Sequence, residues 1–397
     1  MKKLRVFEAF SGIGAQSEAL KRLGVSFDVV GWSDIDKRAI SIYKHLNPNH
    51  VENSGDITKL EHLPECDLLT YSSPCTDFSI SGLRMGGDRG SGTHSSLIWE
   101  IHRLLEDCKK RNCLPKYLLL ENVAGLVMGG FKLFFDKWVE ILKEEFGYST
   151  YSAILNADEF DIPQSRNRVF ALSVLDSKKI FHFPVGEVTD ASLFDVKDDN
   201  CEKYFLTAKQ INGILNSKFN FARSFIKTWE EKSACLTAHC AVHPYCVAEL
   251  VNFTKANSQG ARIRSLKGVS FTLTAQSGGF ANTGLYLDKE ERTDSVRTGS
   301  IVTHNGKGAI ALDGNLYRVR KLSPRETYRL MGWQDDKIDS ILSLGMRDGA
   351  HYFVCGNSIV VNVLMAIFGE MLNQYEGLNI DWFSKIFGYK KVRKRLF

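Results

Sequence analysis

A cysteine directly behind a proline, in "YSSPCTDFSISG" from Tyr71 to Gly82, follows an apolar run and opens a loop of hydroxyls and glycine. A thiol in that setting is either a small buried residue or an exposed nucleophile, and taken alone the packed residue is the usual reading. Glu121, followed by Asn122, closes a second apolar run, "KYLLLENV", where a lone glutamate would usually be a helix cap. Paired at strand ends, Cys75 and Glu121 suggest a nucleophile with a nearby acid. "PQSRNRVF" then sets Gln164, Arg166 and Arg168 at alternating positions, so the two arginines share a face as they enter an apolar strand. Burying them is costly unless they meet an anion or an oxygen. Near the start of the chain, Phe10-Ser11-Gly12-Ile13-Gly14 lets the backbone turn tightly and opens a helix N-terminus to a ligand. Asp34, 20 residues beyond Gly14, stands where a carboxylate can accept from ribose hydroxyls. Ser17 occupies the place of the third glycine of a dinucleotide fingerprint, so a nucleoside-bearing cofactor without a pyrophosphate fits better; a plain tight turn is the alternative.

Positioning these groups requires a particular order of elements. "LRVFEAF", "FDVVGWSDID", "CDLLTYSSP", "KYLLLENV", "YSAILNA" and "RVFALSVL" read as strands, and "AQSEALKRLG", "KRAISIYKHL", "SSLIWEIHRLLEDC" and "LFFDKWVEILKEEFG" as helices between them. Such alternation predicts an α/β fold with a doubly wound, mostly parallel sheet, in which chemistry sits beyond the carboxyl ends of the strands. After about Asp176, glycines, serines and short β-type runs such as "VSFTLTA" and "GSIVTH" replace the pattern, which predicts a smaller β-rich domain. "LSPRETYRLMGW" reads as helical, and "YFVCGNSIVVNVLMAIFGEML" as a strand, a turn and a buried helix. The expected domains are 1–182, 183–345 and a returning C-terminal segment 346–397 that ends in the basic "YKKVRKRLF", a solvated tail.

Composition bounds the class. The 397 residues are 44% hydrophobic and 24% charged, enough for a sizeable core and unlike a disordered or fibrous chain. A formal charge of +5 permits a polyanionic partner without identifying one. Nine cysteines without a regular framework, and no leader or membrane-length apolar run, lead to the expectation of free thiols in the cytoplasm.

In order along the chain, "FSGIG", "GDI", "PCTDFSISG", "ENV", "QSRNR", "RKLSPRE" and "GNSIVVNVL" resemble the motif set of the DNA cytosine-5 methyltransferases of bacteria and phages, over nearly the whole length. The resemblance implies a Rossmann-like, S-adenosylmethionine-dependent domain with a smaller target-recognition domain. It implies cofactor contacts from Phe10, Ser11, Gly12, Ile13, Gly14, Asp34, Ile35, Asp56, Ile57, Pro74, Asn357 and Ser358. It makes Cys75 the nucleophile that adds to carbon 6 of a flipped-out cytosine, Glu121 the group on ring nitrogen 3, and Arg168, beside Arg166, the holder of the carbonyl oxygen. The loop after Cys75 would close over the base, with Ser79, Ser81, Arg84 and Arg89 near DNA.

Within the expected recognition domain, "SQGARIRS" and "VSFTLTAQSGGFANTG" resemble the group that methylates within GCGC. That match implies DNA contacts from Gln259, Arg262, Thr272, Thr274 and Gln276, with Arg262 reading a guanine; Gln276 departs from that group's aromatic residue. Thr76, Ser73 and Ile35 also depart from the commonest family residues without removing a required group. Double-stranded DNA is the expected partner, for a monomer in restriction-modification or phage host evasion, with any restriction endonuclease acting separately. No resident metal is expected: "CLTAHCAVHPYC", with Cys235, His239, His243 and Cys246, lacks a close cysteine pair. The insertion Glu290 to Gly314 suggests no role. The rival functions are an RNA cytosine-5 methyltransferase, a silent DNA-binding relative, and a nicotinamide oxidoreductase, against which the missing third glycine and the Pro-Cys loop argue.

Overall fold

The computed structural model describes residues 3–73, 97–207, 209–210, 226–228, 232–233, 235–236, 246–250, 301–304, 307–312 and 315–388, with only the backbone of the strands between 226 and 319. Six strands form the first sheet: β1 (Leu4–Ala9), β2 (Phe27–Ser33), β3 (Leu68–Tyr71), β4 (Tyr117–Val123), β5 (Tyr148–Asn156) and β6 (Asn167–Leu175). Their order is β2-β1-β3-β4-β6-β5. The pairs from β2 to β4 are parallel, whereas β6 runs antiparallel to both β4 and β5. The sheet is therefore mostly parallel, as expected, with β6 the reversed strand.

Side-chain alternation explains why helices cover both faces. Val6, Leu68, Tyr117 and Leu119 point to one apolar cluster, and Phe7, Leu69, Leu118 and Leu120 to the other. On the first face lies α1 (Ala15–Leu23), which ends at Gly24 in the left-handed region. The second face is covered by α3 (Ile98–Lys110) and α4 (Phe131–Phe146). Helix α2 (Lys37–Leu46) flanks the sheet and begins where the Asp36 carboxylate accepts from the Arg38 and Ala39 amides.

The C-terminal part returns to the first face as α5 (Pro324–Arg329), α6 (Asp335–Leu342), α7 (Asp348–Asn357), α8 (Val361–Glu376) and α9 (Trp382–Phe387). Residues 352–355, expected as a strand, are instead helical. Asp348 sits in the first turn of α7, and the helical spacing of His351, Tyr352, Val354 and Cys355 buries one side, which overrides the β tendency of "YFVC". The helical stretch 348–376 is apolar and long enough to cross a membrane, but 89% of its most apolar window is buried inside this fold.

A second sheet has the order β7-β8-β11-β10-β9, from β7 (Ile226–Thr228), β8 (Cys246–Leu250), β9 (Ile301–His304), β10 (Lys307–Leu312) and β11 (Asn315–Lys321). The insertion Glu290 to Gly314 thus supplies β9 and β10, an antiparallel pair at its edge. The two ends of the stretch 183–345 contribute Leu193, Val196, Tyr328, Ile338 and Ile341 to the first-face core of the large sheet. "VSFTLTA" lies outside the described residues.

Candidate active site

The loop after β1 is shaped by backbone that turns through positive φ at Phe10, Gly12 and Gly14. A Cβ on Gly14 would stand 3.1 Å from the Tyr43 ring, whereas one on Gly12 would meet nothing within 4 Å, so the backbone there is open to approach. The Gly12 amide donates to Asp34 Oδ2 at 2.8 Å, and the Asp36 amide to Asp34 Oδ1 at 2.8 Å, which ties the loop to the end of β2. Burial, the strongest influence on Asp34, holds its carboxyl above the usual range despite these donors. Asn53 links the neighbouring segment: its Oδ1 accepts from the Asp34 and Gly55 amides and its Nδ2 donates to the Asp34 carbonyl. The Gly55 carbonyl accepts from Ser33 Oγ at 2.7 Å at the end of β2; Asp56, the next residue, caps a short turn through the Thr58 amide, and Ile57 is buried. Ile35 is 73% exposed, an apolar side chain left uncovered at the strand end. Among the described residues the Ser11 and Ser73 hydroxyls are buried without a partner. A bared apolar side chain, a carboxylate acceptor and orphaned hydroxyls around an open glycine suit a nucleoside-bearing ligand.

Beneath this loop runs a buried network that the sequence reading missed. Glu8 accepts from Ser17 at 2.7 Å and from Tyr43 at 2.6 Å, and Tyr43 also meets His50 Nδ1 at 3.1 Å. Burial pushes the Glu8 carboxyl up, only partly offset by these donors. Its signal was a charged residue inside the apolar run of β1. Ser11 and Ile13 are buried in the same loop.

Glu121 is in β4 and Arg168 in β6, whose register sets Arg168 opposite Val123 and Phe170 opposite Glu121. Arg168 Nε lies 3.3 Å from Glu121 Oε1, with both side chains mostly buried at 17% and 12% exposure. Burial holds the Glu121 carboxyl above the usual range, while the charges of Arg168 and Arg166 oppose that rise. Asn122 Nδ2 donates to the Ser73 carbonyl at 3.2 Å, so the chain leaves β3 beside Glu121 two residues before Cys75.

Arg166 occupies different surroundings from Arg168. Its fully buried guanidinium donates to the carbonyls of Leu236 at 2.5 Å, Gly356 at 3.1 Å and Ser358 at 2.8 Å. Gln164 Nε2 donates to the Leu330 carbonyl and its Oε1 accepts from the Leu236 amide, at 2.7 and 2.9 Å. Arg166 and Gln164 therefore clamp residue 236 to the C-terminal helices. Ser358 is buried and Asn357 exposed at the end of α7.

Pro74, Cys75, Ser79, Ser81, Arg84, Arg89, Gln259, Arg262, Thr272, Thr274 and Gln276 lie outside the described residues, as do His239 and His243. Among the described residues no cluster of His, Cys, Asp and Glu could hold a metal. Cys235 is instead in reach of Arg166 and Arg168, at 3.6 and 3.7 Å.

The family model described as C-5 cytosine-specific DNA methylase matches residues 4–373. The type II methyltransferase M2.ScrFI of Lactococcus lactis subsp. cremoris is 30% identical, over 93% of this chain and 99% of its own. M.SssI of Spiroplasma monobiae, an orphan methyltransferase, is 29% identical over 93% of this chain and 97% of its own. Among solved structures, the S. pombe Dnmt2 methyltransferase aligns over 94% of this chain and 99% of its own with a TM-score of 0.60 at 20% identity, a likeness of fold.

Proposed function

The chain belongs to the C-5 cytosine-specific DNA methylase family and is a DNA cytosine-5 methyltransferase, and on that premise we propose how its residues divide the work. Phe10, Ser11, Gly12, Ile13, Gly14, Asp34, Ile35, Asp56 and Ile57 hold S-adenosylmethionine, with Pro74, Asn357 and Ser358 closing the site. The cofactor, when bound, supplies a methyl group on a sulfonium. Asp34 accepts from the ribose and Ile35 covers the adenine.

Cytosine carbon 5 is a poor nucleophile until a thiolate adds to carbon 6. Cys75 forms that bond, pushing an electron pair through the ring toward nitrogen 3. Glu121, its carboxyl raised chiefly by burial, is suited to hold or donate a proton at nitrogen 3. Arg168, fixed beside it, holds the carbonyl oxygen and opposes the negative charge. After carbon 5 takes the methyl group, a base or water removes its hydrogen and the Cys75 thiolate leaves. The ring must be flipped out of the duplex for this, and Ser79, Ser81, Arg84 and Arg89 form the closing loop. Residues from Gln259 to Gln276 read the site, with Arg262 on a guanine next to the target. A role in restriction-modification accords with the type II relative.

The Glu121–Arg168 pair beside the exit of β3 carries this reading. To test it, the protein and labelled cofactor are incubated with duplex DNA of mixed sequence, and methylcytosine is mapped at base resolution. The expected outcome is methylation at a fixed short site, abolished in Cys75→Ser with cofactor binding kept. Turnover by Cys75→Ser would overturn the covalent route, and methylation of RNA but not duplex DNA would overturn the assigned substrate.

A further inference from the structure

Two cationic side chains converge on one sulfur at the edge of the catalytic pair. Cys235 Sγ lies 3.6 Å from Arg166 Nη1 and 3.7 Å from Arg168 Nη2, and 3.5 Å from the Leu236 carbonyl. The segment bearing it is held against the start of β6: the Ser165 amide donates to the Ser233 carbonyl, the Ser233 amide to the Pro163 carbonyl, and the Leu236 amide to Gln164. Arg166 fastens the same segment through the Leu236 carbonyl and reaches on to Gly356 and Ser358. The sulfur is thus on a fixed support.

We propose that Cys235 is a positioning residue for Arg168: its sulfur fixes one edge of the Arg168 guanidinium so that the group stays beside Glu121. The proposal rests on the reading of Glu121 and Arg168 as the groups that handle the cytosine ring. A guanidinium is a rigid planar fork, so fixing Nη2 sets the plane of the whole group. Among the described residues, Arg168 donates from Nη1 to the Asn167 carbonyl at 2.8 Å and from Nη2 to Cys235, while Nε stands 3.3 Å from Glu121 Oε1 as an ion pair. Two adjacent guanidiniums also repel each other, and an electron-rich sulfur between them offsets that repulsion. Burial pushes the Cys235 thiol up, but the Arg166 and Arg168 charges outweigh it and hold the thiol below its ordinary value. The second consequence is a connection. Cys235 lies in the stretch leading toward β8 of the second sheet, so a shift of that stretch would be transmitted to Arg168 through one sulfur.

The test compares Cys235→Ala and Cys235→Ser in the full chain, with Glu121→Gln and Arg168→Ala as reference variants. Turnover, KM for duplex DNA and for the cofactor, and Tm are measured for each. Cys235→Ala is expected to lower kcat about tenfold with both KM values and Tm nearly unchanged, the signature of a group misplaced for the chemical step. Cys235→Ser keeps an acceptor of similar size and is expected to recover most of kcat. Unchanged kcat in Cys235→Ala, with Glu121→Gln and Arg168→Ala both impaired, overturns the positioning role and leaves the catalytic reading standing. A loss of kcat that follows a fall in Tm and that serine does not recover also overturns it, as a purely structural role. Should Cys235→Ala not fold, Cys235→Ser alone decides, because a large loss of kcat there contradicts the role of an acceptor. Normal turnover by Glu121→Gln and Arg168→Ala would overturn the catalytic reading itself.

Discussion

At the residue scale the decisive environment is that of Glu121. Its carboxyl is raised above the usual range chiefly by burial, with Arg168 and then Arg166 opposing the rise. A proton held there is available below the raised value and is lost as the pH climbs through it, so kcat should fall on that limb. Glu121→Gln cannot ionise: the limb should flatten and kcat should drop about 10²–10⁴-fold, which a pH–rate profile of both proteins checks. Glu8 obeys the same sign for stability. Its folded carboxyl is raised by burial, so the stabilisation from protonated Glu8 is full below the ordinary carboxylate value and is lost as pH rises through the folded one. Urea titrations across that window should show a flatter dependence for Glu8→Gln. Arg166 and Arg168, alike in the sequence, part company here because one guanidinium reaches only backbone carbonyls and a thiol while the other reaches a carboxylate.

At the element scale, the junction between β11 and α5 couples the two sheets. Arg320, next to last in β11, and Glu326 in α5 are both fully buried and paired through two contacts of 2.8 and 2.6 Å. Glu326 also accepts from the Ser323 and Asp198 amides at 2.7 and 2.9 Å, closing a capping box with Pro324 at the helix start. Arg320→Met would leave the carboxylate buried without its cation, an expected loss of about 3–5 kcal/mol by chemical denaturation. Replacing both partners with apolar residues should cost less than the single change. "LSPRETYRLMGW" read as helical from the sequence, but nothing in it showed that Arg320 and Glu326 close on each other.

At the scale of the whole molecule, β1, α1 and the C-terminal helices share one core, so a ligand bound at the ends of the strands should stabilise the fold as a unit. S-adenosylhomocysteine at about a hundred times its Kd should add about 2.7 kcal/mol, seen as a concentration-dependent rise in Tm, whereas a nicotinamide dinucleotide should leave Tm unchanged. The strands, their glycine loop and the residues beyond their carboxyl ends were legible from sequence, because period and turn chemistry are local properties. So was the family, through motifs in order. Residues 352–355 read as a strand because a short apolar run has no period of its own, and only packing made it helical. Glu121 against Arg168, Arg166 against the turn at Ser358, and Cys235 between the two arginines join residues separated by 47 to 192 positions. Such contacts leave no local trace in the chain, since each exists only when β4, β6 and the segment around residue 235 are folded together; tertiary structure alone decided them.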